Sequence, residues 1–221
     1  MFDGKRYKKI AKLQLKNRRS ATVLASLVVL ALFYILIVPG RNVLDNSGVL
    51  YKFKYLILLA WAFVWGATAI AYSYLFIALS HTTEEQPFAR FVQGFTRWLD
   101  GTLAFLWCRL WITLWTCLLV VPGIVKSYAY SQIYFILSEH PNVGVRKAMN
   151  MSKVMTNGHK ADLFMLDLSF LGWLILCMMT GGLLFLRAGP YYMMTKTNAY
   201  HCLKDEAIRS GKLCEEDFLE A

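Results

Sequence analysis

Two ionisable residues, Arg109 and Asp167, stand inside apolar runs. A lone charge in hydrocarbon costs several kcal/mol and normally turns toward a partner or a polar cavity. Arg109 lies eight residues into a run that begins at Gly101, and Asp167 six residues into one that begins at Ala161. At about 1.5 Å per residue they sit roughly 12 and 9 Å deep, close enough in height to meet. An Arg109–Asp167 ion pair is therefore expected, either fixing helix register or serving transport. A second polar set, Lys126, Tyr128, Gln132, Tyr191, Lys196 and Asn198, falls on a short, polar fourth segment and on a polar last helix. Short or interrupted helices commonly line solute cavities, and the same groups also suit a hydrogen-bonded seam between helices.

Enzyme chemistry finds no support. The chain has no H-E-x-x-H, G-x-S-x-G, P-loop or Gly-rich dinucleotide motif. The paired carboxylates Glu84-Glu85 and Glu215-Glu216 read as solvated surface charge. His81, His140, His159 and His201 fall at the ends of apolar runs, which suits interfacial hydrogen bonding. The five cysteines, Cys108, Cys117, Cys177, Cys202 and Cys214, are odd in number and show no C-x-x-C, against a disulfide framework or a zinc site. No catalytic residue, no cofactor and no metal is expected.

The elements that carry these residues belong to a membrane protein. Of 221 residues 57% are hydrophobic and 17% charged, against about 25% charged in soluble domains. The formal charge of +10 sits at the ends of apolar runs, where a lipid surface with anionic headgroups is a simpler partner than nucleic acid. Three regions follow: residues 1–19, a basic N-terminal segment; 20–203, a transmembrane helical domain; and 204–221, a charged tail expected to fray. Residues 3–19 carry eight Lys or Arg, with Tyr7, Ile10 and Leu13 at helical spacing, so the segment is either an amphipathic surface helix or an unstructured basic tail. A first span is expected over Ser20 to Val38, ending at Pro39-Gly40, with a loop through Asn46, Ser47 and Gly48. The run from Ala21 lacks a small-x-small cleavage site and reads as a retained span rather than a signal peptide.

A second span follows over Tyr51 to Leu79, then a loop from His81 to Gln86. Phe88, Phe91, Val92, Phe95, Trp98 and Leu99 recur at three- and four-residue steps around Arg90 and Arg97, the pattern of an interfacial helix. A third span, Gly101 to Val121, is expected to end at Pro122-Gly123. A fourth segment, Ile124 to Leu137, is short and polar, and residues 138–160 form a surface segment. A fifth span, Ala161 to Leu186, is expected to stop at Ala188-Gly189-Pro190, with a last helix from Tyr191 to Leu203 and Pro190 at its first turn. The fold class is thus all-α, a polytopic bundle of about six membrane helices in three hairpins plus amphipathic interfacial helices. Lys and Arg number eight in the N-terminal segment, two at 90–97, four at 146–160 and three after 203, against only Arg41, Lys52, Lys54, Lys126 and Arg187 on the other side. The bias places both termini in the cytoplasm.

Ser152, Met155, Gly158-His159-Lys160, Leu163-Phe164, Leu168-Ser169-Phe170, Gly172-Trp173, Thr180, Gly182, Pro190-Tyr191, Thr195 and Ala199-Tyr200 form a recognisable succession. With Val121-Pro122-Gly123-Ile124-Val125-Lys126, Tyr128 and Tyr130, it resembles the bacterial integral-membrane family called domain of unknown function 975, from the basic N-terminal helix to Tyr200. Arg187-Ala188-Gly189 departs from the more apolar approach expected before Pro190. The resemblance implies a six-helix protein of the bacterial cytoplasmic membrane and assigns no activity. Within the motif, Gly158 is expected to end a helix, Gly172 and Gly182 to let helices approach, and His159 and Lys160 to contact headgroups or cap a helix.

The function expected is a non-enzymatic solute or lipid transport protein, or a transport accessory. The competing class is a membrane regulatory, assembly or self-protection protein that binds another membrane protein or a second copy of itself.

Overall fold

In the computed structural model, residues 2–16, 19–44, 54–81 and 87–218 are described, and every regular element among them is helical. The loop expected at residues 46–48 and most of the one expected at 81–86 lie outside the described residues. The first helix, α1, spans Gly4–Gln14, and the Asp3 carboxylate accepts from the Lys5 and Arg6 amides at 3.0 and 3.3 Å, capping its free donors. Tyr7, Ala11 and Leu15 recur every four residues and are buried, whereas Leu13 is exposed. The segment is therefore helical, but its packing face is rotated from the one expected.

The helix α2, Arg19–Leu44, continues through Pro39-Gly40, and α3 spans Lys54–His81. A short helix, α4 (Pro87–Gly94), leads through one 3-10 turn into α5, Trp98–Leu118. The chain then breaks at Leu119, which is extended, and α6 begins at Val120 and runs to Ala129. Pro122 thus opens a helix rather than closing one, since its missing donor lies in a first turn that lacks partners anyway. The expected fourth segment is also divided, because a turn at 130–132 separates α6 from α7, Ile133–Glu139.

Ser152 seals that break. Its hydroxyl donates to the Ala129 carbonyl at 2.7 Å, where Thr156 adds a second bond at 3.4 Å, and accepts from the Gln132 amide at 3.2 Å, so the backbone groups the turn frees are paired. Ser152 belongs to α8, Val145–Met155, after which Gly158 adopts φ +98° and turns the chain, as expected of it.

The expected fifth span is two helices, α9 (Lys160–Leu168) and α10 (Leu171–Met179), meeting at Ser169-Phe170. The following turn falls at 180–184, not at Pro190. Gly181 and Gly182 supply positive φ there, 61° and 89°, and Tyr34 donates to the Gly181 carbonyl at 2.6 Å. The last helix, α11 (Phe185–Arg209), therefore carries Pro190 inside it, at the cost of one backbone hydrogen bond. None of the three Pro/Gly pairs marks the end of a helix. The tail does not fray at 204 either, since α11 continues to Arg209, and Leu213 and Phe218 are buried, Phe218 against His140.

Three stretches among the described residues are long and apolar enough to cross a membrane, Ala60–His81, Phe88–Leu118 and Lys160–Met179; the expected first span appears only as a shorter apolar helix, Ser20–Leu32, and the expected fourth and sixth segments are not among them. The first is 61% buried within the chain and the others 22% and 17%, so α3 is central and α5, α9 and α10 are peripheral. Small residues set the contacts of α3. A Cβ on Gly66 would lie 2.6 Å from the Gly101 carbonyl oxygen, and one on Gly94 2.5 Å from the Ala71 Cα. Gly172, by contrast, meets nothing within 4 Å, and Gly182 makes ordinary contacts. Close approach therefore belongs to Gly66, Gly94 and Gly101. Tyr72 of α3 and Ser26 of α2 share a buried hydrogen bond of 2.7 Å. On its other side α3 meets α7, where Ser138 donates to the Ile70 carbonyl at 3.3 Å. The helix α11 packs against α1, α2, α3 and α8.

Candidate functional site

Tyr192 and Lys196 stand four residues apart on α11 and so share a face. Both reach Asp167, in the last turn of α9. Lys196 Nζ lies 2.9 and 3.0 Å from the two carboxylate oxygens, and the Tyr192 hydroxyl donates to one of them at 3.1 Å. The Tyr128 and Tyr192 rings lie 5.9 and 5.6 Å from the ammonium. Lys196 is only 8% exposed, and this carboxylate compensates its ammonium.

The partner of Asp167 is thus Lys196 and not Arg109, which is exposed on α5 with its guanidinium 5.2 Å from the Phe105 ring. Height along a helix carries no information about azimuth. Of the six expected cavity residues, Tyr128 and Lys196 come together at Asp167. Lys126 lies over the Trp115 ring at 4.9 Å, and Tyr191 against Phe170 at 5.4 Å. Asn198 donates to Gln14 of α1 at 3.0 Å. Gln132 is fully buried at the α6–α7 break and donates to Ser131, while its carbonyl oxygen has no partner among the described residues. These residues do not line one cavity.

His159 precedes α9, and its carbonyl accepts the first helical bond, from Leu163, while its side chain makes no cap. Its two ring nitrogens face Asp162 at 3.1 Å and Glu206 at 2.9 Å. The ring is therefore engaged by carboxylates of the protein itself. Lys160 is half-buried at the start of α9.

A cluster that the sequence did not suggest surrounds Glu139, the last residue of α7. One carboxylate oxygen accepts from the Tyr200 hydroxyl at 2.5 Å and from Lys204 at 2.8 Å, with His140 at 3.4 Å. The other faces His81, the last residue of α3, at 3.3 Å. Burial pushes the Glu139 pKa up, but hydrogen bonds from His140, Lys204 and Tyr200 outweigh it and hold the carboxyl well below its usual range. Beside it, His201 is pulled down to about 4 by burial, partly opposed by the Glu139 charge, and is a neutral imidazole at pH 7. Its Nε2 shares a hydrogen bond of 2.7 Å with Ser80. Arg97 pins the chain on both sides of Glu139 by donating to the Leu137 and Pro141 carbonyls at 3.3 and 2.5 Å. The available signal was that His81, Glu139, His140 and His201 all fall at the same ends of apolar runs.

A cleft of about 470 Å³ opens between α1, α2, α10 and α11. Leu15, Val23, Trp173, Leu183, Leu184 and Leu186 give it apolar walls, and it also holds two cations, Lys12 and Arg187, so Arg187 stands on the same cleft as the N-terminal helix and not, as the charge count expected, on the other side. A second, polar cleft of about 470 Å³ is lined by Arg6, Tyr7, Asn198, His201, Asp205 and Glu206, among others.

The succession from Pro122 to Tyr200 now has a structural meaning: Ser152 seals a helix break, Gly158 and Gly182 turn the chain, and Tyr200 holds Glu139. Residues 116–207 match the family model described as "Protein of unknown function (DUF975)". The DUF975 match takes in α6 to α10 and most of α11, hence Glu139, Asp167, Lys196, His201 and Lys204. The resemblance expected over residues 1–115 lies outside it, as does His81. No curated protein and no solved structure matches the chain.

Proposed function

We propose that the protein is a multi-pass protein of the bacterial cytoplasmic membrane with both termini in the cytoplasm. It works without catalysis as a transport protein or transport accessory, and its ligand is an anionic lipid. The observation that carries this reading is the apolar cleft holding Lys12 and Arg187. Its volume is that of a small-molecule site, its walls suit an acyl chain, and its two cations suit a phosphate headgroup. The exposed apolar faces of α5 and α10 support immersion in lipid.

Native mass spectrometry of the protein extracted gently from its own membrane tests the reading. One anionic lipid retained per chain, and lost in Lys12→Ala/Arg187→Ala, is the expected result. An unchanged adduct in that variant overturns the assignment of the cleft. A stoichiometric protein partner with no lipid adduct replaces it with the interaction class.

A further inference from the structure

We propose that His81, Glu139 and His201 form a binding site for one divalent transition-metal ion of the zinc class. Three helices supply the ligands, α3 and α7 with their last residues and α11 from its C-terminal half. One ligand atom from each residue lies within 4.8 Å of the other two. Tetrahedral zinc with bonds of about 2.0–2.1 Å separates its ligand atoms by roughly 3.3 Å. His81 Nε2 and the nearer Glu139 oxygen already stand at that spacing, 3.3 Å. The other separations are at most 4.8 Å, so binding draws the three groups together, and His81, with its side chain 53% exposed, has room to turn toward the ion.

The surroundings prepare the ligands for this use. Tyr200 and Lys204 occupy one oxygen of Glu139 and orient the carboxylate so that the other faces His81. Ser80 holds one nitrogen of His201 and so fixes the orientation of the ring. Two imidazoles and one carboxylate leave a fourth position for water, and the polar cleft beside His201 is an entry path. The Lys204 charge, 2.8 Å from the far oxygen of Glu139, lowers the affinity below that of an all-anionic site. The site does not depend on the lipid cleft, which α1, α2, α10 and α11 form with other residues.

Tag-free full-length protein in nanodiscs, stripped with EDTA, is titrated with Co²⁺ as a spectroscopic probe and then with Zn²⁺. One Co²⁺ per chain with visible d–d absorption, displaced by Zn²⁺, is expected. His81→Ala and His201→Ala should each weaken Zn²⁺ binding at least tenfold. His159→Ala, whose imidazole belongs to the separate Asp162–Glu206 cluster, should leave it unchanged. His81 is half-exposed at a helix end, so His81→Ala keeps the fold, and circular dichroism checks this. Absence of stoichiometric metal in the wild type overturns the proposal, and so does unchanged binding in folded His81→Ala.

Discussion

Replacing Lys196 with methionine removes the cation and keeps most of the side-chain volume. Asp167 then retains the Tyr192 hydroxyl and loses the ammonium bridging both of its oxygens. Breaking a fully buried pair costs roughly 3–5 kcal/mol, because the remaining charge is left uncompensated. The Asp167 side chain is 25% exposed, which brings the expected loss down to about 2–3 kcal/mol. Asp167→Asn should cost less, since the amide keeps an oxygen for Tyr192 and for the Lys196 ammonium. The double variant Lys196→Met/Asp167→Asn should be more stable than the sum of the single losses, with a coupling of about 1–2 kcal/mol. Reversible unfolding in mixed micelles, followed by circular dichroism against the SDS fraction, measures all four proteins. Arg109→Ala supplies the contrast: paired with Asp167→Asn it should be additive within about 0.5 kcal/mol. Additivity in the Lys196 cycle, or strong coupling in the Arg109 cycle, would refute the pairing.

Gly101→Leu drives a side chain into the Gly66 carbonyl and Ile70, and should destabilise the α3–α5 contact by at least about 2 kcal/mol, whereas Gly172→Ala, in open space within α10, should gain about 0.5–1 kcal/mol. The same unfolding assay reads both, and an equal effect of the two would remove the close-approach argument. Ser152→Ala uncovers the Gln132 amide and leaves the Ala129 carbonyl only the longer bond from Thr156, for an expected loss of about 1–3 kcal/mol, visible also as faster hydrogen exchange at residues 130–133. For topology, Glu215→Cys in a chain freed of its own cysteines should stay unlabelled by an impermeant maleimide added to intact cells. Labelling there would put the C-terminus outside.

The class of the fold and the membrane character were legible because hydrophobic runs of about 20 residues have few other uses. The boundaries were less so, for a reason that recurs at each Pro/Gly pair. Such pairs end helices in water, where freed backbone groups are hydrated. Within packed helices Pro190 costs one hydrogen bond and the chain continues, while the actual turn is made by Gly181-Gly182. The breaks at 130–132 and at Ser169-Phe170 carry no Pro and no Gly; Ser152, which seals the first of them, lies 20 residues from Gln132 in sequence. Among the candidate residues, the depths of Arg109 and Asp167 were readable, but azimuth comes only from packing. Lys196 was assigned to a cavity although its height equally suited Asp167.

The helix that joins these observations is α11. Tyr192 and Lys196 engage Asp167, Asn198 engages Gln14 of α1, and Tyr200 and Lys204 engage Glu139. A helix so rich in hydrogen-bonding groups is costly against hydrocarbon, so its neighbours must cover it, and α1, α2, α3 and α8 do. The basic N-terminal helix therefore has two faces with different duties. Tyr7, Ala11 and Leu15 seal α11, while Lys5, Arg6, Lys9, Lys12 and Lys16 remain exposed, available to the anionic lipid of the proposed function. Because Lys12 and Leu15 also line the apolar cleft, one short helix connects that cleft with the polar groups of α11. A charge placed at Ala11, which is fully buried, should lift that helix and loosen the Asn198–Gln14 contact and the cleft together. A substitution at exposed Leu13 should disturb neither.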